Sequence, residues 1–344
     1  MRSAVWEGTR ELVLRESSVP NLGPEEVLVK VKDVGICGSD LFHVTGENKR
    51  VTPPIVLGHE ISGTVDKIGS AVPNGLWKSG EKVAINPLVN CGRCQYCCTG
   101  KTNLCENLML LGHQQPGGFA EYVKAHYDKL VRVPDSVAFD DAYLLEPIAV
   151  VVHGFSFISI RPGDEVIVLG GGPIGLLAAQ LARIQGATKI VVTDIVDYRL
   201  EIIERSGFIA VDARQEYTED RILEQIDQNG ADVVIEAVGN QHTALQMAYL
   251  VRPNGQVLVL GLHKRTPQVD LRQLAMGEQQ LRCVRLYTQD DFMRAARLLG
   301  SKSFDISAFG NYRLTLEEIN RGFDLMRRGD DTVKVVIQLE SHSA

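Results

Sequence analysis

Residues Glu165–Gly175 read EVIVLGGGPIG: a short apolar strand, Glu165 to Leu169, running straight into a cluster of glycines. Pro173 to Gln185 follows with helical spacing of Ile174, Leu177, Ala178 and Leu181. Gly170, Gly172 and Gly175 therefore fit Gly-x-Gly-x-x-Gly in its productive context, directly after a strand and opening a helix. Gly170 permits the tight turn, and Gly172 lets the backbone approach a pyrophosphate. Gly175 allows close helix–strand packing, while Pro173 and Ile174 begin a helix whose N-terminus favours negative charge. Nineteen residues beyond Gly175, Asp194 closes the next strand. A carboxylate there can accept hydrogen bonds from ribose hydroxyls and repel a 2′-phosphate, so the expected cofactor is NAD. Arg199, five residues on, could soften that preference. The plainer alternative is a glycine-rich turn with no ligand.

The same rhythm continues outward. Lys189 to Thr193 reads as a strand, Asp197 to Arg205 as a helix, and Asp232 to Ile235 and Gln256 to Leu260 as strands around a helix-like His242 to Val251. Such alternation predicts an α/β fold with a doubly wound parallel sheet. The first third is β-rich instead, with alternating branched residues over Val27 to Val34, Ser62 to Gly69 and Lys82 to Ile85. Near the C-terminus, Asp290 to Leu299 and Leu316 to Arg327 read as helices and Val333 to Leu339 as a strand that could return to the first domain.

A length of 344 residues suggests two domains. The net charge of −7 leaves no basic excess to neutralise a nucleic-acid backbone. The N-terminus is charged where a secretion signal needs an apolar core, and no apolar run approaches the roughly 18 residues of a membrane span. A cytoplasmic protein without nucleic-acid or membrane partners is expected. Five of the seven cysteines fall between Cys91 and Cys105, which in a reducing compartment points to metal rather than disulfides.

Cys91-x2-Cys94-x2-Cys97-x7-Cys105 can surround one tetrahedral Zn²⁺ and leave no place for substrate, a bracing site without chemistry. Cys98, beside a ligand, should point away. A dispersed set comprises Cys37, His59, Glu60 and Glu146. Mixed sulfur, nitrogen and oxygen donors with one place open suit a catalytic zinc. Taken singly, each has an ordinary structural reading: a packed cysteine, a satisfied histidine, a glutamate at a turn.

Together these motifs resemble the zinc-containing medium-chain dehydrogenase/reductase superfamily, and within it the polyol and sugar-acid branch of sorbitol, L-threonine, butanediol and L-galactonate dehydrogenases. The resemblance spans essentially the whole chain. It rests on Cys37-Gly38-Ser39-Asp40, Gly58-His59-Glu60, the four cysteines, Gly117 to Tyr122, Leu145-Glu146-Pro147 and the glycine loop, all in the family's order. It implies a GroES-like catalytic domain over 1–152 and 286–344 and a Rossmann NAD-binding domain over 153–285. It also implies two zinc ions per chain, a homodimer or homotetramer, and hydride transfer to NAD from a secondary alcohol of a small polyol, sugar acid or hydroxy amino acid.

By the same resemblance Cys37 and His59 would hold the catalytic zinc, and Glu60 would join them directly or by exchange with water. Glu146 stands where the alcohol dehydrogenases proper have a second cysteine. Ser39 matches the hydroxyl that takes the substrate proton, and Asp40 the carboxylate that orients the histidine ligand. Arg285 falls where sorbitol-type enzymes place an arginine near the substrate, though a surface arginine reads equally well. One departure stands out. Many relatives have a histidine five residues after the zinc cysteine; here that position is Phe42, followed by His43. A shifted loop, or a proton path through water or the cofactor ribose, would account for it. Two alternatives remain: a zinc-free quinone or enone reductase of the superfamily, whose members lack the cysteine cluster, and a zinc-stabilised binding protein without activity.

Overall fold

The computed structural model describes residues 1–46, 51–226 and 229–339. The expected domain ranges include 47–50, 227–228 and 340–344, which lie outside the described residues. The chain divides into two compact units: Met1–Ala149 with Tyr287–Lys302 and Phe309–Ala344, and Val150–Leu286 with Ser303–Ala308.

The first unit is built on a seven-stranded sheet around Glu26–Gly35. Its Val27, Val29, Val31 and Val34 are fully buried, together with Ile61, Val83 and Ile85 from the neighbouring strands. Glu26–Gly35 pairs antiparallel with Glu60–Ile68 and with the last strand, Val335–Gln338. Gly35 therefore faces Glu60 across one ladder and Val336 across the other. This register gathers three distant parts of the chain around one point.

The second unit holds six parallel strands in the order Ile209–Asp212, Lys189–Asp194, Glu165–Leu169, Ala231–Glu236, Val251–Val259 and Gln280–Cys283. The doubly wound sheet expected from the alternation is present. Ile167, Leu169, Val191, Val234 and Val257 are fully buried between helices on both faces, which is why these strands are near-continuous apolar runs. The order reverses at Glu165–Leu169, and ligands of such sheets bind beyond the strand ends at that reversal. Leu169, Thr193 and Glu236 stand in register there. Ser303–Ala308 belongs to this unit, tied by the Gln180 side-chain amide, which donates to the Asp305 carbonyl at 2.9 Å and accepts from its N–H at 2.6 Å.

Candidate active site

In the first unit, Cys37 caps the short helix Gly38–Val44. Asp40, in that helix's first turn, is fully buried. Its Oδ2 accepts from the Cys37 N–H at 2.9 Å, and its Oδ1 lies 3.5 Å from His59 Nδ1. One carboxylate thus holds the backbone of Cys37 and faces the ring of His59. Ser39 Oγ sits 3.5 Å from the other ring nitrogen, Nε2. The register of Glu60 against Gly35 brings a third donor, and Cys37, His59 and Glu60 offer ligand atoms all within 4.8 Å of one another. Burial opposes a charged imidazole, yet Asp40 and then Cys37 hold His59 well above its ordinary value. The set calls for positive charge, and a divalent cation would supply it while leaving His59 neutral as a ligand. Among the described residues, buried Glu60 Oε2 has no hydrogen-bond partner, nor has Asp40 Oδ1.

Both carboxylates expected here are tied by one oxygen. Glu60 Oε1 accepts from the buried ammonium of Lys334, and Glu146 Oε1 accepts from the fully buried Tyr287 hydroxyl at 2.6 Å. Glu146 opens the helix Leu145–Phe155 and stands outside the trio of Cys37, His59 and Glu60. Burial pushes its carboxyl up to about 7, the Glu60 charge adds to the rise, and His59 opposes both.

Cys91, Cys94, Cys97 and Cys105 likewise bring their sulfurs within 4.8 Å of one another, with Cys94 and Cys97 3.5 Å apart. Cys98 is exposed and outside the set. Backbone N–H groups of Arg93 and Cys94 bring the Cys91 thiol down to about 6, whereas burial and the neighbouring sulfurs push Cys97 up to about 11. Four thiols this close cannot all ionise unless a cation sits among them, and that is the charge balance a zinc ion provides.

In the second unit, Gly170 has φ +102°, a left-handed turn that favours glycine, and a Cβ at Gly175 would lie 1.7 Å from the Gly170 carbonyl oxygen. Gly172 precedes the helix Pro173–Gln185, and a Cβ there would meet nothing nearer than Arg199 Nη1 at 3.9 Å. The loop is therefore open where a ligand would approach. Asp194 Oδ2 accepts from the Gly171 N–H at 2.8 Å, and Oδ1 accepts from Ile195 and Val196. Arg199 Nη1 stands 3.7 Å from Oδ2. Arg285 is exposed just beyond the strand Gln280–Cys283.

The chain is similar to known proteins. A family profile described as the alcohol dehydrogenase GroES-like domain matches residues 23–135, and one described as zinc-binding dehydrogenase matches 173–301. The sorbitol dehydrogenase of Bacillus subtilis is 37% identical over 268 residues, covering 76% of this chain and 75% of its own. The L-threonine 3-dehydrogenase of an Anaeromyxobacter species is 34% identical over 318 residues, 90% of each chain. Among solved structures, a zinc-binding dehydrogenase of Sinorhizobium meliloti with NADP bound aligns with a TM-score of 0.90 at 30% identity, covering 98% of this chain and 99% of that one.

The chain belongs to the zinc-containing medium-chain dehydrogenase/reductase superfamily, in its polyol and sugar-acid branch.

As a zinc-type medium-chain dehydrogenase, it carries further site residues that its motifs did not announce. Lys334 and Tyr287 each hold one carboxylate. At the end of Ala231–Glu236, the fully buried Glu236 accepts from the N–H groups of Val238 (2.9 Å) and Gly239 (2.7 Å) and from the Thr243 hydroxyl (2.7 Å). This carboxylate shapes the turn beside the glycine loop, and His263 Nε2 lies 3.3 Å from its other oxygen. His43, the neighbour of Phe42, is fully buried, edge-on to His113 at 4.4 Å between ring centres, and neither of its nitrogens has a hydrogen-bond partner among the described residues. His43 thus forms no hydrogen-bonded chain with Ser39. Glu-Ala-Val-Gly at 236–239 was the one sequence signal within reach, since a glutamate closing a buried strand has backbone N–H groups to satisfy.

Proposed function

We propose that this chain oxidises a secondary alcohol of a small polyol, sugar acid or hydroxy amino acid and passes the hydride to NAD. One zinc ion would sit at Cys37, His59 and Glu60, and a second at Cys91, Cys94, Cys97 and Cys105. The observation that carries the reading is the trio of a half-buried cysteine sulfur with a buried imidazole and a buried carboxylate, three donors where a closed structural site has four. Glu146, held by Tyr287, is proposed as a reserve donor, direct or through water.

When bound, zinc supplies Lewis-acid polarisation of an alcohol oxygen, and the nicotinamide supplies the hydride acceptor. The chain's own residues do the rest. Asp40 holds the backbone of Cys37 and faces the ring of His59, so the donors need not reorganise. Ser39 Oγ, beside His59 Nε2, accepts the alcohol proton and donates its own onward to water or to a cofactor ribose hydroxyl. Burial of Asp40, His59 and Glu60 keeps bulk water from competing for the same place. Arg285 is proposed as a substrate contact.

The test is a panel of polyols, aldonates and 3-hydroxy amino acids, with simple primary alcohols as controls, followed by reduced-nicotinamide absorbance. Polyols or aldonates should exceed primary alcohols in kcat/KM by about tenfold or more. Primary alcohols as the far better substrates, or no oxidation at all, would overturn the proposal.

Asp194 gives a second expectation. Its carboxylate is fixed by three backbone N–H groups and keeps a lone-pair site for ribose hydroxyls, while its charge repels a 2′-phosphate. Although a structural neighbour binds NADP, kcat/KM here should favour NAD by roughly tenfold or more, about 1.4 kcal/mol. Equal use of both cofactors would refute that role for Asp194.

Seven free cysteines fit a reducing, cytoplasmic setting. No helix among the described residues is long and apolar enough to cross a membrane. A homodimer or homotetramer is proposed as well. The outermost strand of the second unit, Gln280–Cys283, has all four side chains exposed, an edge suited to pairing with a second copy. Sedimentation of a monomer would reject it.

A further inference from the structure

Lys334 precedes the strand Val335–Gln338 in a run of apolar residues, and it is only 2% exposed. A buried ammonium is costly unless paired. Its Nζ donates to Glu60 Oε1, a residue 274 positions away in sequence, and the register around Gly35 makes the pairing possible. Gly35 itself must lack a side chain: a Cβ there would lie 1.9 Å from Glu60 Oε2 and 2.9 Å from Lys334 Cε. The Glu60 carboxylate is thus clamped. One oxygen is bound to the ammonium; the other is buried, has no hydrogen-bond partner among the described residues, and is grouped with Cys37 and His59.

We propose that Lys334 is a positioning residue that confines Glu60 to offering one oxygen and draws charge from it, so that Glu60 is a weak, displaceable metal ligand. This rests on the reading of Cys37, His59 and Glu60 as a metal site. The argument is electrostatic. Without Lys334, no ammonium offsets the buried Glu60 charge, and a bound metal ion takes over that compensation. The carboxylate then grips the ion, and the place that a substrate hydroxyl or water must take is harder to vacate. A lysine serving only to hold the fold would have no such effect on the metal.

The test uses cobalt(II) alone, in competition with a chelator, on the full chain. Cobalt absorption distinguishes the one-thiolate site from the four-thiolate site, and the latter also reports that each variant is folded. Lys334→Met should bind the ion at the one-thiolate site about tenfold or more tightly than the parent and release it more slowly, with a lower kcat. In the Glu60→Gln background, where position 60 carries no charge, adding Lys334→Met should change affinity by less than about twofold. Lys334→Gln provides the same comparison if the methionine variant does not fold. Unchanged or weaker binding in a folded Lys334 variant, or the same change with and without Glu60, would overturn the proposal. If the parent chain bound no cobalt at the one-thiolate site, the metal-site reading itself would fall instead.

Discussion

Replacing Cys37 by serine should cut turnover about a thousandfold or more while leaving the fold and one zinc ion in place. Serine is nearly isosteric, and the Cys37 N–H that Asp40 Oδ2 accepts from belongs to the backbone, so the helix Gly38–Val44 keeps its start. What disappears is the sulfur, one of three donors in the trio of Cys37, His59 and Glu60. A neutral hydroxyl is a poor zinc ligand, and the remaining imidazole and carboxylate would hold the ion weakly. Steady-state rates combined with metal analysis check the prediction. Activity within tenfold of the parent, with two ions still bound, would refute the role of Cys37.

Cys105→Ser should act oppositely, on stability rather than on chemistry. Cys105 is buried, and its sulfur accepts from the Cys91 N–H at 3.3 Å, so it closes the loop that the other three cysteines begin. Coordination energy in a closed four-thiolate site is folding energy, because the unfolded loop has no preformed site. Loss of roughly 4 kcal/mol should lower Tm by about 10 °C in a chain of this size. Limited proteolysis should also begin within the loop between Cys91 and Cys105. An unchanged Tm with both ions retained would show that the four sulfurs do not share a metal.

The second unit was legible because several local signals agree there. The run of Glu165 to Leu169, the glycines, Pro173 at the helix start and Asp194 at the next strand end all lie within thirty residues, and the helix bounds Pro173–Gln185 were read without error. Gln280–Cys283 is not legible in the sequence as a strand, for a physical reason. It lies at the sheet edge with every side chain exposed, so no burial pattern is imposed on its sequence. The four cysteines were readable because their spacing is local. Cys37, His59 and Glu60 are legible only as scattered donors of suitable type, to which the resemblance adds roles, and their convergence depends on the long-range register of Glu26–Gly35 with Glu60–Ile68. Lys334 and Tyr287 could not be found in that way. A lysine in an alternating run reads as a solvent-facing residue, and only pairing with a strand some three hundred residues earlier turns it inward.

An X-ray anomalous difference map at the zinc absorption edge, from crystals of the chain grown with zinc, tests the account most directly. It should show two peaks per chain, one among the sulfurs of Cys91, Cys94, Cys97 and Cys105 and one bounded by Cys37, His59 and Glu60. A single peak, with the place bounded by Cys37, His59 and Glu60 empty in crystals grown with excess zinc, would contradict it.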